Sequence, residues 1–289
     1  VPTHVFLNSA VVPVGRARIS VLDRGLLYGD GLFETLRTYG GKPFALRAHL
    51  ERLRTSARLL GIRVPARPWE RDIAALLRRN RLHARDAWVR ITLTRGPARP
   101  GLLPPARTQP TVIMTAGAVD PGLVTAQRRG ATVVLLPFAR RGFLAEHKVL
   151  DYLPGMLGKV IAASHSAFEA LYVDSDGYVT EGTTCNLFVC RRGQLLTPPA
   201  VEILPGVTRR LVLALAAADG LRIVERRLRV ADVRSAAEAF LTSSVAEVVP
   251  IVRLGKRRLG TGKVGECTRH VQASYRQLVD KMVNQRSTI

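Results

Sequence analysis

The chain has 289 residues, 47% of them apolar, and carries 44 Lys and Arg against 22 Asp and Glu, a formal net charge of +22. That length admits one large domain or two of ordinary size, and the apolar fraction suffices for a full core. No apolar run reaches the roughly 18–20 residues that cross a bilayer, and the opening Pro2-Thr3-His4-Val5 lacks the basic and apolar regions of a secretory signal.

Cys185, Cys190 and Cys267 are odd in number and not spaced as metal ligands, which points to a reduced, cytoplasmic protein with no metal. The positive charge is mostly arginine, scattered in pairs such as Arg78-Arg79, Arg128-Arg129 and Arg226-Arg227. Nucleic-acid grooves interleave basic residues with stacking aromatics, and few occur here. A basic nucleic-acid-binding protein is therefore only the non-enzyme alternative. Attraction of small anionic substrates is the better use of such a field.

In chain order, alternating apolar residues predict strands at 5–7 and 11–14 around the turn-prone Asn8-Ser9. A further strand spans 32–39, ended by Gly40-Gly41. Leu46, Leu50, Leu53, Ala57 and Leu60 recur at three or four and predict a helix over 46–60, with a second over 69–77. Strands at 88–94 and 111–115 enclose a Pro/Gly-rich loop at 96–110, a length usually kept for function. Gly117-Ala118-Val119-Asp120-Pro121-Gly122 breaks the periodicity. It predicts a domain over 1–117, a linker over 118–123 and a second domain over 124–289. There, a strand at 131–136 and a helix at 152–167 precede two hairpins. One turns at Asp176-Gly177 and the other at Arg191-Arg192-Gly193. A helix at 208–217, a strand at 239–242 and a helix at 264–279 complete an α+β (α/β) protein of two domains.

One stretch stands out chemically. Lys148 lies among Val149, Leu150, Tyr152 and Leu153, and Glu181 follows 33 residues later in Thr180-Glu181-Gly182-Thr183-Thr184-Cys185-Asn186. A lysine drawn out of water becomes a usable nucleophile. An amine and a carboxylate are two groups that a protein supplies to hold and tune pyridoxal 5′-phosphate (PLP). A phosphate further asks for a helix start, hydroxyls and an arginine. The chain offers Leu204-Pro205-Gly206-Val207-Thr208 before a helix, Thr242-Ser243-Ser244 after a strand, and Arg52 in His49-Leu50-Glu51-Arg52. Taken singly, each has an ordinary reading: a surface lysine, a strand-end acid, a capped turn, a solvated arginine.

Together these segments resemble the class IV aminotransferases, PLP enzymes of fold type IV. The likeness runs from Asp23-Arg24-Gly25-Leu26-Leu27-Tyr28-Gly29-Asp30-Gly31-Leu32-Phe33-Glu34 to Gly262-Lys263-Val264-Gly265-Glu266. The resemblance implies a small N-terminal α/β domain, a larger PLP-binding domain with a β-barrel-like core, and a homodimer with the active site at the subunit interface. It assigns Lys148 as the catalytic, Schiff-base lysine, and Glu181 as the partner of the pyridine nitrogen. Tyr152 becomes the donor to the cofactor's 3′-oxygen, and Leu204 the residue packed beside the ring. Arg52, Val207, Thr208, Ser243 and Ser244 become the phosphate site, with Asn186 supporting the turn. Tyr28, Phe33 and Arg37 resemble residues of the substrate pocket, and Arg99 is a candidate for the substrate carboxylate. The implied reaction is ping-pong transfer of an amino group between an amino acid (branched-chain or D-, or a primary amine) and a 2-oxo acid. Aminodeoxychorismate lyase is the alternative.

Overall fold

The computed structural model describes residues 2–139 and 142–285, and the chain divides into two compact units. The first is Val1–Val119 with His147–Asp151; the second is Asp120–Glu146 with Tyr152–Ile289. The segment His147–Asp151 thus belongs with the first unit, although it lies far beyond residues 118–123.

In the first unit, β1 (His4–Leu7) and β2 (Ala10–Pro13) form a hairpin whose turn residue Asn8 has a φ of 55°. Asparagine tolerates that left-handed conformation better than most residues. The short α1 (Arg24–Tyr28) is capped by Asp23, whose side chain accepts from Gly25 N. Then come β3 (Gly31–Tyr39), β4 (Lys42–Pro43), α2 (Leu46–Leu59), α3 (Trp69–Arg79), β5 (Ala87–Thr94) and β6 (Thr111–Ala118). The strands form one antiparallel sheet in the order β2-β1-β6-β5-β3-β4. Helix α2 buries Leu46, His49, Leu50, Leu53, Ser56 and Ala57, the stripe its spacing predicts. With Ile73, Leu76 and Leu77 of α3 it closes a core over Leu32, Leu36, Val89, Ile91 and Met114 of the sheet.

The second unit begins with α4 (Pro121–Arg129), β7 (Ala131–Leu136), α5 (Leu153–Ser164), β8 (Glu169–Val173) and β9 (Tyr178–Gly182). It continues through β10 (Asn186–Arg191), β11 (Gln194–Thr197), α6 (Val207–Ala218), β12 (Arg222–Glu225), β13 (Leu228–Arg229) and α7 (Val230–Arg234). β14 (Glu238–Ser243), β15 (Glu247–Leu254), β16 (Arg257–Arg258) and α8 (Glu266–Gln285) end it. Six strands close into a ring, β10-β14-β15-β7-β8-β9 and back to β10. This is the expected barrel-like core, with Val133, Leu171, Val179, Leu187, Leu241 and Val249 in one buried cluster. The ring closes through a single register pair, Glu181 on β9 opposite Asn186 on β10.

Several elements carry no signal in the sequence reading, α1, β12 and α7 among them, and two show why. Strand β15 contains Pro250, a residue rare inside sheets; it precedes Ile251, where pairing with the neighbouring β7 begins. Helix α4 starts at the very Asp-Pro-Gly that reads as a break. Asp120 caps it by accepting from Gly122 N, with Pro121 in the first turn. The helix expected from Tyr152 begins one residue later, with Tyr152 in the N-cap position. No helix among the described residues is long and apolar enough to cross a membrane.

Candidate functional site

In the first unit the chemistry gathers on β3 and α2. Glu34 is fully buried on the face of β3 that carries Leu32 and Leu36. A buried carboxylate requires a partner, and α2 supplies two, spaced three residues apart on its inward stripe. Arg52 donates a fork, Nε to Oε1 at 2.8 Å and Nη2 to Oε2 at 2.7 Å, and His49 Nδ1 lies 2.7 Å from Oε2. Burial alone would raise the Glu34 carboxyl; the charge and bonds of Arg52, with His49, outweigh it and hold it at about 2. Burial pushes the His49 imidazole below its ordinary value, only partly offset by Glu34. A neutral His49 must then carry its proton on Nδ1, facing Glu34.

Lys148 sits where His147–Asp151 runs along the start of β3. Phe33 N donates to Lys148 O at 2.9 Å, Leu150 N donates to Gly31 O at 3.0 Å, and Leu32 bridges Val149. Its side chain is half-buried, with Nζ 4.4 Å from the centroid of the Phe33 ring. Arg90 approaches the same ring at 3.7 Å. Gly31 leaves room for this segment: a Cβ there would lie 2.7 Å from Leu150 Cδ1.

The remaining candidates of this unit are placed differently. Arg37 donates to Asp86 at 2.7 Å and lies over the Tyr39 ring. The Tyr28 hydroxyl accepts from Gly101 N at 2.9 Å, in the 96–110 loop, where Arg99 is exposed. Arg24 donates to the carbonyls of Gly101 and Leu102, and together with Arg95 it converges on Asp30 Oδ2, each Nε at 2.7 Å. These bonds, against the penalty of burial, hold the Asp30 carboxyl below its usual range. The loop is therefore tethered near its tip, with Leu102 and Leu103 exposed.

In the second unit the candidates meet at one end of the barrel. Glu181, Asn186 and Thr242 stand in register across β9, β10 and β14. Glu181 is buried, and its Oε2 accepts from Leu204 N at 3.1 Å and Asn186 Nδ2 at 3.3 Å. The Asn186 amide also donates to Leu204 O at 2.9 Å, so it holds both the acid and the loop before α6. That loop lies so close that a Cβ on Gly206 would fall 2.0 Å from Asn186 Oδ1. Gly206 is also the N-cap of α6 and offers it no side-chain cap, while Val207 and Thr208 are buried in its first turn. The first N–H groups of a helix have no intrahelical partner. At the end of β14, Ser243 Oγ accepts from Ala246 N at 3.2 Å, across the turn that contains Ser244. Tyr152 donates its hydroxyl proton to Thr183 O at 2.6 Å.

Three partners of these residues went unnoticed in the sequence. Glu34 and His49 carried a usable signal: an acid on the apolar face of a strand, and a histidine three residues before Arg52. Glu169 carried none. It is buried at the start of β8 and accepts from Thr183 Oγ1 at 2.6 Å, Thr184 Oγ1 at 2.9 Å and Lys159 Nζ at 2.8 Å, fixing the turn that follows Glu181.

Known proteins match this chain over nearly its whole length. A family model for amino-transferase class IV matches residues 31–254. A putative branched-chain-amino-acid aminotransferase of Methanocaldococcus jannaschii is 36% identical over 280 residues, covering 96% of each chain. Aminodeoxychorismate lyase of Bacillus subtilis is 29% identical over 286 residues, 98% of this chain and 97% of that one. The T.th. branched-chain amino acid aminotransferase, solved with pyridoxamine 5′-phosphate, superposes with a TM-score of 0.86 at 30% identity, over 95% of this chain and 93% of the other. The chain belongs to the class IV aminotransferases and is a PLP-dependent transaminase.

Proposed function

We propose that this transaminase moves the amino group of a branched-chain amino acid to a 2-oxo acid in two half-reactions. The observation that carries the assignment of residues is the set around Glu181: a buried carboxylate aimed by Asn186 and Leu204 N, beside a helix start without a side-chain cap. That donor set suits a pyridinium ring and a phosphate. When bound, PLP supplies an electron sink that makes the Cα proton of an attached amino acid removable. Lys148 takes that proton on Nζ and returns it, acting as one general acid–base. Glu181 holds the charge of the ring nitrogen in place. The N–H groups of Val207 and Thr208 and the hydroxyls of Thr208, Ser243 and Ser244 are assigned to the phosphate, with Leu204 beside the ring, while the part assigned to Arg52 rests on the family resemblance, its guanidinium here forking onto Glu34. The bond from Tyr152 to Thr183 O favours a positioning role for this tyrosine, through the turn after Glu181, over direct donation to the cofactor.

Phe33 and Tyr28 give the substrate side chain apolar surroundings, and Arg99 is the candidate for its carboxylate. The names of the relatives support the branched-chain donor. A homodimer is supported by α5, which leaves Leu153, Met156, Leu157 and Val160 exposed at helical spacing. The unpaired state of Cys185, Cys190 and Cys267 favours a reducing compartment, the cytoplasm.

The test is a half-reaction panel on the PLP-loaded enzyme. L-leucine, L-isoleucine and L-valine should convert bound PLP to the pyridoxamine form, whereas D-alanine and (R)-1-phenylethylamine should not. Conversion by D-alanine alone would overturn the donor. Release of pyruvate from aminodeoxychorismate, with no conversion by any amino acid, would replace the transaminase reading with the lyase.

A further inference from the structure

Away from this site, a second cluster lies where β10, β14 and the start of α8 meet. In the antiparallel register of β10 and β14, Cys190 stands directly opposite Glu238. Glu238 in turn holds the first turn of α8. Its Oε1 accepts from Cys267 N at 3.1 Å, and its Oε2 from Thr268 N at 2.8 Å and Thr268 Oγ1 at 2.7 Å. The approach is close enough that a Cβ on Gly265 would fall 1.9 Å from Glu238 Cδ. One carboxylate therefore fixes Cys267 over its own cross-strand neighbour. Cys190 Sγ, Cys267 Sγ and a Glu238 oxygen all lie within 4.8 Å of one another.

Both oxygens of Glu238 are engaged by α8, so the chemistry left in the cluster is that of two sulfurs. They are unlike. Cys190 is buried and Cys267 half-buried at a helix N-terminus. The hydrogen bond between them lowers the Cys267 thiol and, together with burial, raises that of Cys190. An accessible thiol of lowered pKa beside a protonated one is the arrangement of an attacking and a resolving cysteine. Cys185 is outside the cluster, and burial followed by the charge of Glu169 pushes its thiol well up.

We propose that Cys190 and Cys267 form an oxidation site, which a hydroperoxide closes into a disulfide tying β10 to the first turn of α8. The Cys267 thiolate attacks the O–O bond of hydrogen peroxide, giving Cys267 sulfenic acid and hydroxide, which takes up a proton to become water. The Cys190 sulfur then attacks the Cys267 sulfur. The S–S bond forms, the S–O bond breaks, and the leaving hydroxide departs as water with the Cys190 proton. Two thiols and one peroxide give one disulfide and two waters, the peroxide oxygens receiving the two electrons.

The test treats the PLP-loaded enzyme with equimolar hydrogen peroxide and counts thiols after denaturation. Wild type should fall from three thiols to one, yield a Cys190–Cys267 linked peptide on non-reducing mass spectrometry, and recover all three with dithiothreitol. Cys190→Ser, or Cys190→Ala if the first variant is unstable, should leave Cys267 as a dimedone-trapped sulfenic acid. Cys267→Ser should keep its thiols. Absence of the linked peptide from oxidised wild type, or loss of thiols from Cys267→Ser as fast as from wild type, would overturn the proposal. The wild-type measurement stands whether or not the variants fold.

Discussion

A carboxylate with no exposed surface, as at Glu34, is held ionised only by its neighbours, and this makes stability depend on acid. Its folded value of about 2 lies below the ordinary 4.5. The unfolded chain therefore takes up the proton first as pH falls. The contribution is complete above pH 4.5 and is lost between 4.5 and 2. The depressed His49 works in the same direction, contributing fully above 6.5 and losing it as pH falls through its lowered folded value. Denaturant titrations across pH should show wild type losing stability in the 4.5 to 2 window and Glu34→Gln flatter there. At pH 7 that variant should be less stable by roughly 1–3 kcal/mol, because the part-buried Arg52 loses its charged hydrogen-bond partner. Lys148, proposed as the catalytic lysine, and Glu181, proposed to bind the cofactor, should behave otherwise. Lys148→Ala should abolish turnover while PLP still binds. Glu181→Gln should cut kcat by roughly 100-fold or more with a much smaller change in cofactor affinity, as steady-state rates and PLP titration will tell. Normal activity in Lys148→Ala would sink the assignment.

Among the elements, α5 is turned inside out. Its buried positions are Gly155, Gly158 and Ala162, whereas Leu153, Met156, Leu157 and Val160 face outward. The small residues are required: a Cβ on Gly158 would fall 2.5 Å from Thr183 Cγ2 and 2.9 Å from Leu136 Cδ1. A large apolar stripe left in water is a contact surface awaiting a partner. If the chain dimerises through α5, as proposed, the double variant Met156→Glu/Val160→Glu should sediment as a smaller species than wild type, and identical sedimentation of the two would remove α5 from any such interface. The same scale shows what the sequence could reveal. Hairpins with local turn signals, such as Asp176-Gly177, were legible because both strands and the turn lie close together in the chain. Strand β15 was not, since Pro250 looks like a breaker until its neighbours are known. Nor was α4, whose Asp120-Pro121-Gly122 start carries both helix-cap and turn chemistry. At the site, ligand-type residues such as Lys148 and Glu181 could be picked out by kind. Among the supporting acids, Glu34 was marked by its place on the apolar face of a strand, whereas Glu169 was not, because it is identified only by the lysine and hydroxyls brought to it.

On the scale of the whole molecule, closure of the barrel was invisible in the local pattern and came only with the resemblance. It depends on β15 pairing with β7, strands far apart in the chain. The charge of +22 is also a property of the whole. If it draws in anionic oxo acids, kcat/KM for the acceptor should fall as salt rises from about 10 to 200 mM while kcat holds, since the field is screened over a Debye length of roughly 30 to under 10 Å. A salt-independent kcat/KM would leave the charge without that role. The pair that completes the ring, Glu181 and Asn186, is also the pair that aims the acid. Under the proposed assignment, a cofactor held by Glu181 would brace this clasp in the barrel wall. Emptied protein should be nicked first by proteases in the stretch between β9 and β10, and loaded protein spared there. The occupancy of the site would then decide how long the molecule survives as well as what it catalyses.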